Sequence, residues 1–288
     1  MTVIYKKELR RLLGGVASYA SMAIVLLACG LYAGFSNLLM GVADFSYPLI
    51  GSFLALIVAL PLLCCGLFAS ERRSGAQKLW YSLSFRPVDI VLGKYFAVLT
   101  VFMMTAAVLA VYPLLFTLFG DLSLSTAYFA WFGYVLMGAS LLAACTFISA
   151  FGRRAWVPFC VGAGTVLVLW LLQRFVTALP VAPVFSFAVI LLLLLGVCAW
   201  LWMVVGSQKT AIGAAILPVA ATVLFIAAPG CYTALLPNIL AKLNPFSRYS
   251  GFIYGSFDLE GILFYLSFTV FFVFVTVLLL QYRRDDER

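Results

Sequence analysis

The chain has 288 residues, of which 65% are hydrophobic and only 10% charged, with a formal net charge of +8. Soluble domains carry about 25% charged residues, and a soluble fold of this length could not hide so much apolar surface. Lipid is therefore the solvent for most of the chain, which excludes a pair of soluble domains and leaves a bundle of spans. The basic excess follows from its distribution along the chain, described below, and calls for no nucleic-acid partner.

The chain opens MTVIYKKELRRLLGG, in which Lys6, Lys7, Glu8, Arg10 and Arg11 are interspersed with Ile4, Leu9, Leu12 and Leu13. The basic start resembles the n-region of a signal peptide. However, no small-residue cleavage site precedes a soluble domain, and more apolar runs follow. Residues 1–15 are expected to form an interfacial amphipathic helix that stays with the protein.

Apolar runs of about 20 residues, long enough to span, fall at roughly 16–36, 46–69, 95–119, 127–151, 155–173, 182–206, 211–229 and 260–282. That predicts eight helices and an all-α polytopic fold, a single transmembrane domain over 1–288. With both termini on one side, that side collects Lys6, Lys7, Arg10, Arg11, Arg72, Arg73, Lys78, Arg86, Lys94, Arg153, Arg154, Lys209, Arg283, Arg284 and Arg288. The other side keeps Arg174, Lys242 and Arg248. This segregation predicts that both termini are cytoplasmic.

Two connections are substantial. The first, Ser70 to Lys94, holds Glu71, Arg72, Arg73, Lys78, Arg86, Asp89 and Lys94 between nearly uncharged flanks. Its middle, 76–84, reads as a short helix with Leu79, Trp80 and Leu83 on an apolar face, broken by Pro87. Two readings stand side by side: a docking element whose apolar knob has a polar rim, or a helix resting on lipid headgroups beside basic topology signals. The second connection, 230–259, is apolar for a loop and punctuated by Pro237, Pro245, Gly251 and Gly255. It is expected to form short helices at or dipping into the outer interface, either as a gate or as a cap over the bundle.

The seven cysteines are Cys29, Cys64, Cys65, Cys145, Cys160, Cys198 and Cys231, and there is no histidine. With no CxxC spacing either, a zinc site is not expected, and the cysteines read as small apolar packers. No ionisable residue lies near the middle of a predicted span. Asp44, Asp121 and Arg174 fall at outer edges and Glu260 opens the last span. Proton relays and ion-coupled carriers usually bury charges there. No nucleophile–base pair or Gly-rich phosphate loop is present, so neither catalysis nor a bound cofactor is expected. Energy for any transport would have to enter from outside the spans.

Glu71-Arg72 followed by Gly75, Leu79, Pro87 and Gly93-Lys94 resembles the pattern of ABC-2 type transporter permeases, E-R-x-x-G-T-x-E-L-L, then a proline and a G-K opening the third span. Lys7-Glu8-Leu9-Arg10 with Tyr19 is similar to that family's entry into its interfacial helix. Asn244-Pro245-Phe246, Gly255, Asp258, Tyr265-Leu266 and Arg283-Arg284 resemble the gliding-motility-associated branch. The chain departs from the pattern at Ala76, where threonine is usual, at Gln77-Lys78, where an acid is common, and in its eight predicted spans against the family's six.

The resemblance implies a permease subunit with an ABC-2, type V exporter-like transmembrane domain in a bacterial or archaeal cytoplasmic membrane. It would pair with a second permease chain and two separate ABC ATP-binding subunits, and would not hydrolyse ATP itself. Glu71, Arg72, Gly75, Leu79, Trp80 and Leu83 of the 70–94 coupling helix would dock the ATPase. Asn244, Pro245, Phe246, Gly251 and Gly255 would shape an external gate. The rival expectations are a carrier or channel that works without ATP, and a membrane scaffold that transports nothing.

Overall fold

The computed structural model describes residues 1–41, 44–74, 86–118, 123–152, 154–178, 183, 187, 191, 235–255 and 258–286, and they hold helices and turns with no strand among them. Residues Met1–Trp170 with Arg248–Arg288 form one compact unit and Leu171–Ser247 another.

The first unit opens with the amphipathic α1 (Thr2–Leu13), and after Gly14-Gly15 the chain enters α2 (Val16–Ala33). The end of α2 widens into a π-helical stretch, Gly34–Leu39. There Ser36 Oγ donates to the Tyr32 carbonyl at 2.6 Å, so a side-chain hydroxyl competes for the helical ladder. Asp44 then accepts from the Ser46 amide at 2.8 Å and starts α3 (Ser46–Gly51). Ser52 interrupts the run, its hydroxyl bonded to the Leu49 carbonyl at 2.7 Å, before α4 (Phe53–Cys64). A second interruption at Cys65 separates α4 from α5 (Gly66–Ser74).

The third span begins earlier than its apolar run. α6 (Pro87–Leu109) carries Pro87 in its first turn and Asp89 beside it, while Arg86 is extended. A proline there is preorganised for helix and lacks an amide that would go unpaired anyway. Val88 to Lys94 are thus the first two turns of a helix and not a connecting loop. After Ala110-Val111 comes α7 (Tyr112–Phe116), then α8 (Leu124–Phe151) and α9 (Trp156–Ala178). α10 (Leu235–Leu243), α11 (Pro245–Arg248) and α12 (Ser250–Ile253) are short, and α13 (Leu259–Asp286) closes the chain.

Among the described residues, six helical stretches are long and apolar enough to cross a membrane: Val16–Asn37, Phe53–Arg72, Pro87–Phe116, Leu124–Phe151, Trp156–Val176 and Leu259–Arg284. The architecture is that of an all-α, multi-pass membrane protein. Of the other two expected spans, 211–229 lies outside the described residues, and so does 182–206 apart from 183, 187 and 191. α1, the end of α5, the start of α6 and the ends of α8 and α13 meet at one end of the bundle, through contacts given below. At the opposite end Phe45 packs near Tyr112 and Phe116, and Tyr249 reaches Ala130. Both termini are therefore on the same side.

α8 is the axis of the unit. In its span 72% of residues are buried, against 17% for α13, whose outer face presents Leu263, Leu266, Val270, Phe271 and Phe274. Without a hydrophobic drive between helices in lipid, association depends on close packing and hydrogen bonds. Both are present on α8. A Cβ on Gly138 would lie 2.2 Å from Phe102 Cζ, and one on Gly133 2.5 Å from Phe252 Cγ, so each glycine seats a ring. Tyr95 donates to the Ala139 carbonyl at 3.1 Å and Trp131 Nε1 to the Ala106 carbonyl at 2.8 Å, bracing α6 against α8. Ser52 donates to Tyr134 at 3.1 Å, and Tyr134 stacks near Phe53 at 6.3 Å.

Gly138→Val should destabilise the protein by about 1–3 kcal/mol, because a ring cannot yield in so tight a contact. Thermal unfolding in detergent should show the loss, with Gly164→Val as control because its Cβ would meet nothing within 4 Å. Equal melting of the two variants would refute the packing of α6 on α8.

Candidate functional site

The features that need explaining lie at the terminus-bearing end. In α1, Ile4, Glu8 and Leu12 recur every fourth residue, so they share one stripe along the helix. All three are buried. An acid on the buried stripe of an amphipathic helix requires a partner, since isolated charge in an apolar setting is strongly disfavoured. The partner is Lys94, itself 1% exposed, with its Nζ 3.1 Å from Glu8 Oε1.

The same Nζ lies 2.9 Å from Glu71 Oε2 and donates to the Leu67 carbonyl at 2.6 Å. An ammonium has three donors, and all three are used. The Phe68 ring sits 4.9 Å from the nitrogen and adds an aromatic face. Around this core stand two further cations. Arg11 reaches Glu8 Oε2 at 2.8 Å, and Lys7 lies 3.9 Å from Glu71 Oε1. Two carboxylates and three cations thus close a compact network between α1, α5 and α6.

Local sequence explains why the elements come close enough. A Cβ on Gly93 would stand 3.0 Å from Ile4 Cγ2, so glycine lets α1 lie against the first turns of α6. Tyr5 and Thr100 hydroxyls meet at 3.0 Å on the same face. Where α4 gives way to α5 at Cys65, side chains from other helices take the carbonyls. Ser149 Oγ donates to Cys64 at 2.7 Å, and Arg11 donates to Gly66 at 3.0 Å and also to the Ser70 hydroxyl.

A second anchor sits beside the first. The last carbonyls of a helix have no partner within it. Arg72 Nη1 donates to the Phe151 and Gly152 carbonyls at 3.1 and 3.0 Å, and its Nη2 to Ala150. Arg283 Nη1 donates to Ala150 at 2.7 Å and lies 5.7 Å over the Phe151 ring. Two guanidiniums thus cap the carboxyl end of α8, where positive charge is also favoured by the helix dipole. They bind α5 and α13 to it.

The residues expected to dock a partner therefore divide. Glu71 and Arg72 are turned toward the protein, Glu71 into the lysine network and Arg72 onto α8. Gly75, Leu79, Trp80 and Leu83 lie outside the described residues. Of the expected gate residues, Gly251 and Gly255 shape the turn ahead of α13. A Cβ on Gly251 would meet Asp258 Oδ2 at 2.6 Å, and Gly255 has a φ of +69° and faces Thr126. Asp258 accepts from the Gly261 amide at 3.1 Å and caps α13. Burial pushes the Tyr249 phenol well above the usual tyrosine range, so its neutral hydroxyl donates to Ala130 at 3.2 Å. In the second unit Asn244 accepts from the Phe246 amide at 3.0 Å, and Pro245 occupies the first position of α11.

Reading the sequence missed Glu8 and Lys94 as a pair. The available signal was Glu8 itself, an acid in register with Ile4 and Leu12. The arginine caps left no comparable mark, because their acceptors are main-chain carbonyls. Among the described residues no group of three or more His, Cys, Asp or Glu side chains converges as metal donors. Compared with family models, curated proteins and solved structures, the chain matches none of them.

Removing one member of a buried charge cluster strands the others, at a cost of about 3–5 kcal/mol, whereas replacing its buried members together by apolar side chains is often close to neutral. Lys94→Met should therefore melt well below the parent. The triple variant Glu8→Met/Glu71→Met/Lys94→Met should regain most of the loss, as read by thermal unfolding in detergent. A triple variant no more stable than Lys94→Met would show that the three charges do not act as one cluster.

Proposed function

We propose that the chain is the transmembrane permease subunit of an ABC-2 type transporter, a non-catalytic subunit driven by ATP hydrolysed on separate chains. The observation that carries this reading is the placement of the 70–94 segment. Its described ends, 70–74 and 86–94, belong to the second and third described spans at the terminus-bearing end, and both are rooted in charge networks. Glu71 and Lys94 bond to each other at 2.9 Å, so the two ends of the segment are clasped at its base. Under this reading, force applied to the segment would enter the spans through that clasp.

The distribution of charge points the same way. The buried lysine sits in the second turn of its span, not at mid-membrane, and its three donors are engaged by the protein. A group so occupied fits a brace better than a site for a translocated ion or proton. Under this reading the terminus-bearing end is cytoplasmic, where Lys6, Lys7, Arg10, Arg86 and Arg154 are exposed. Two such chains would flank the substrate path, and the family resemblance makes export the direction. Leu79, Trp80 and Leu83 supply the apolar knob gripped by each ATPase, and the 230–259 segment bounds the outer mouth.

Leu79→Asp or Trp80→Asp should abolish co-purification with an ATP-binding subunit while membrane insertion is retained. The partner to use is a protein carrying G-x-x-x-x-G-K-[ST] and no spans, encoded by the neighbouring reading frame. A complex that survives both substitutions rejects the docking assignment. Substrate flux through proteoliposomes holding this chain alone rejects the ATP-driven reading in favour of a carrier or channel.

A further inference from the structure

The charge network joins three helices pairwise, and that closure has a mechanical meaning. α1 is tied to α6 by Glu8 and Lys94, with Ile4 seated on Gly93. α6 is tied to α5 by Lys94, which bonds both Glu71 and the Leu67 carbonyl. α5 is tied to α1 by Arg11, which donates to the Gly66 carbonyl and the Ser70 hydroxyl. Any two of these ties would leave a hinge, whereas three form a triangle. Glu8 and Lys94, at its centre, are each 1% exposed, so water does not compete for their bonds.

The exits from this triangle differ. Between α1 and α2 the chain passes Gly14-Gly15, where Gly15 is extended, with φ −96° and ψ 135°, and the α1 ladder ends. Between α5 and α4 it passes the interruption at Cys65. Along α6 there is no interruption from Pro87 to Leu109, a continuous helix. Cys65 itself keeps helical φ and ψ with its amide on the Pro61 carbonyl at 2.8 Å, so of the three exits only the one at Gly15 leaves helical geometry.

We infer that α1, α5 and the first turns of α6 form one rigid body, with the Gly93-Lys94 pair as the receptor for the N-terminal helix, and that displacement of this body is carried into the membrane along the two spans it roots, Phe53–Arg72 and α6. The body's existence is a property of the chain by itself. That the displacing force is applied at 70–94 rests on the proposed function. Lys94, Glu8 and Glu71 are then positioning residues, acting through the geometry of the segment they clasp.

The test is hydrogen–deuterium exchange on the full chain in lipid nanodiscs, read on peptides covering 1–13, 66–74 and 130–145. Gly93→Leu, which displaces Ile4, and independently Ile4→Asp, which unseats α1 from its own side, are the variants. Each should raise exchange by roughly tenfold or more in both 1–13 and 66–74 together, with 130–145 unchanged, because a cooperative unit opens as one. Release of 1–13 alone, or of neither segment, overturns the rigid body. The neutral triple variant adds a readout that a merely stabilising role would leave unmoved. It should regain most of the parent's melting temperature yet lose the joint protection of 1–13 and 66–74, and joint protection retained there overturns the role of the three charges. A final arm adds the ATP-binding subunit with and without nucleotide. Coordinated nucleotide-dependent change in 1–13 and 66–74 supports transmission through the body. Joint release by the substitutions without any response to nucleotide leaves the body standing and removes the proposed driving force.

Discussion

The fold at the terminus-bearing end depends on keeping one lysine charged in a place without water. An ammonium taken out of water must recover its solvation from protein groups, and the recovery is strongly geometric because three donors need three acceptors. For Lys94 those acceptors come from α1 and from both the side chain and the main chain of α5. No single element could supply them. The requirement therefore specifies an arrangement of three helices more sharply than apolar packing would, since a greasy contact tolerates sliding and a three-acceptor contact does not. Such a cluster adds little net stability over a well-packed apolar substitute. Its consequence is register.

Register at that end then propagates. Glu71 and Arg72 are neighbours on α5, yet they bond in different directions, one to Lys94 and the other to the carboxyl end of α8. Fixing α5 against α6 therefore also fixes α8, and Arg283 brings the last helix to the same carbonyls. Farther along α8, Gly133 and Gly138 accept aromatic rings. In a soluble protein such contacts would be aided by expulsion of water. Here lipid competes for the same apolar surface, so the small residues and the tyrosine, tryptophan and serine hydrogen bonds to carbonyls carry the association.

The parts of this architecture legible from sequence are those governed by long averages. Apolar runs located six described spans because twenty consecutive residues outvote local exceptions, and the scatter of lysine and arginine grouped one set of ends. Breaks within a run were less legible. The second run is interrupted at Ser52, whose hydroxyl meets that of Tyr134, 82 residues away, and next to Cys64, whose carbonyl accepts from Ser149, 85 residues away. The start of α6 was placed too late because Asp89 and Lys94 lower the apolar average. A polar residue counts against a span only if it must face lipid, and Lys94 does not. In the same way Glu71 and Arg72 read as surface charge when counted by composition, and as internal struts once their partners are known.

This inward turn of Glu71 and Arg72 bears on what a partner could recognise. Charges already engaged within the protein contribute less to an external interface, because a new contact must first compensate the one it replaces. If 70–94 is a docking element, its polar rim then comes from other residues, and the exposed Lys6, Arg10, Arg86 and Arg154 flank the same end. On the proposed reading that would shift specificity from an acid–arginine pair to a collar of exposed basic residues at this end. The departures at Ala76 and Gln77-Lys78 fit that shift, since they replace a threonine and an acid by a methyl group, an amide and a further cation. An acidic groove on the partner would complement such a collar. A groove built to receive the family's usual acid there would meet Lys78 instead, and its basic lining would oppose the contact.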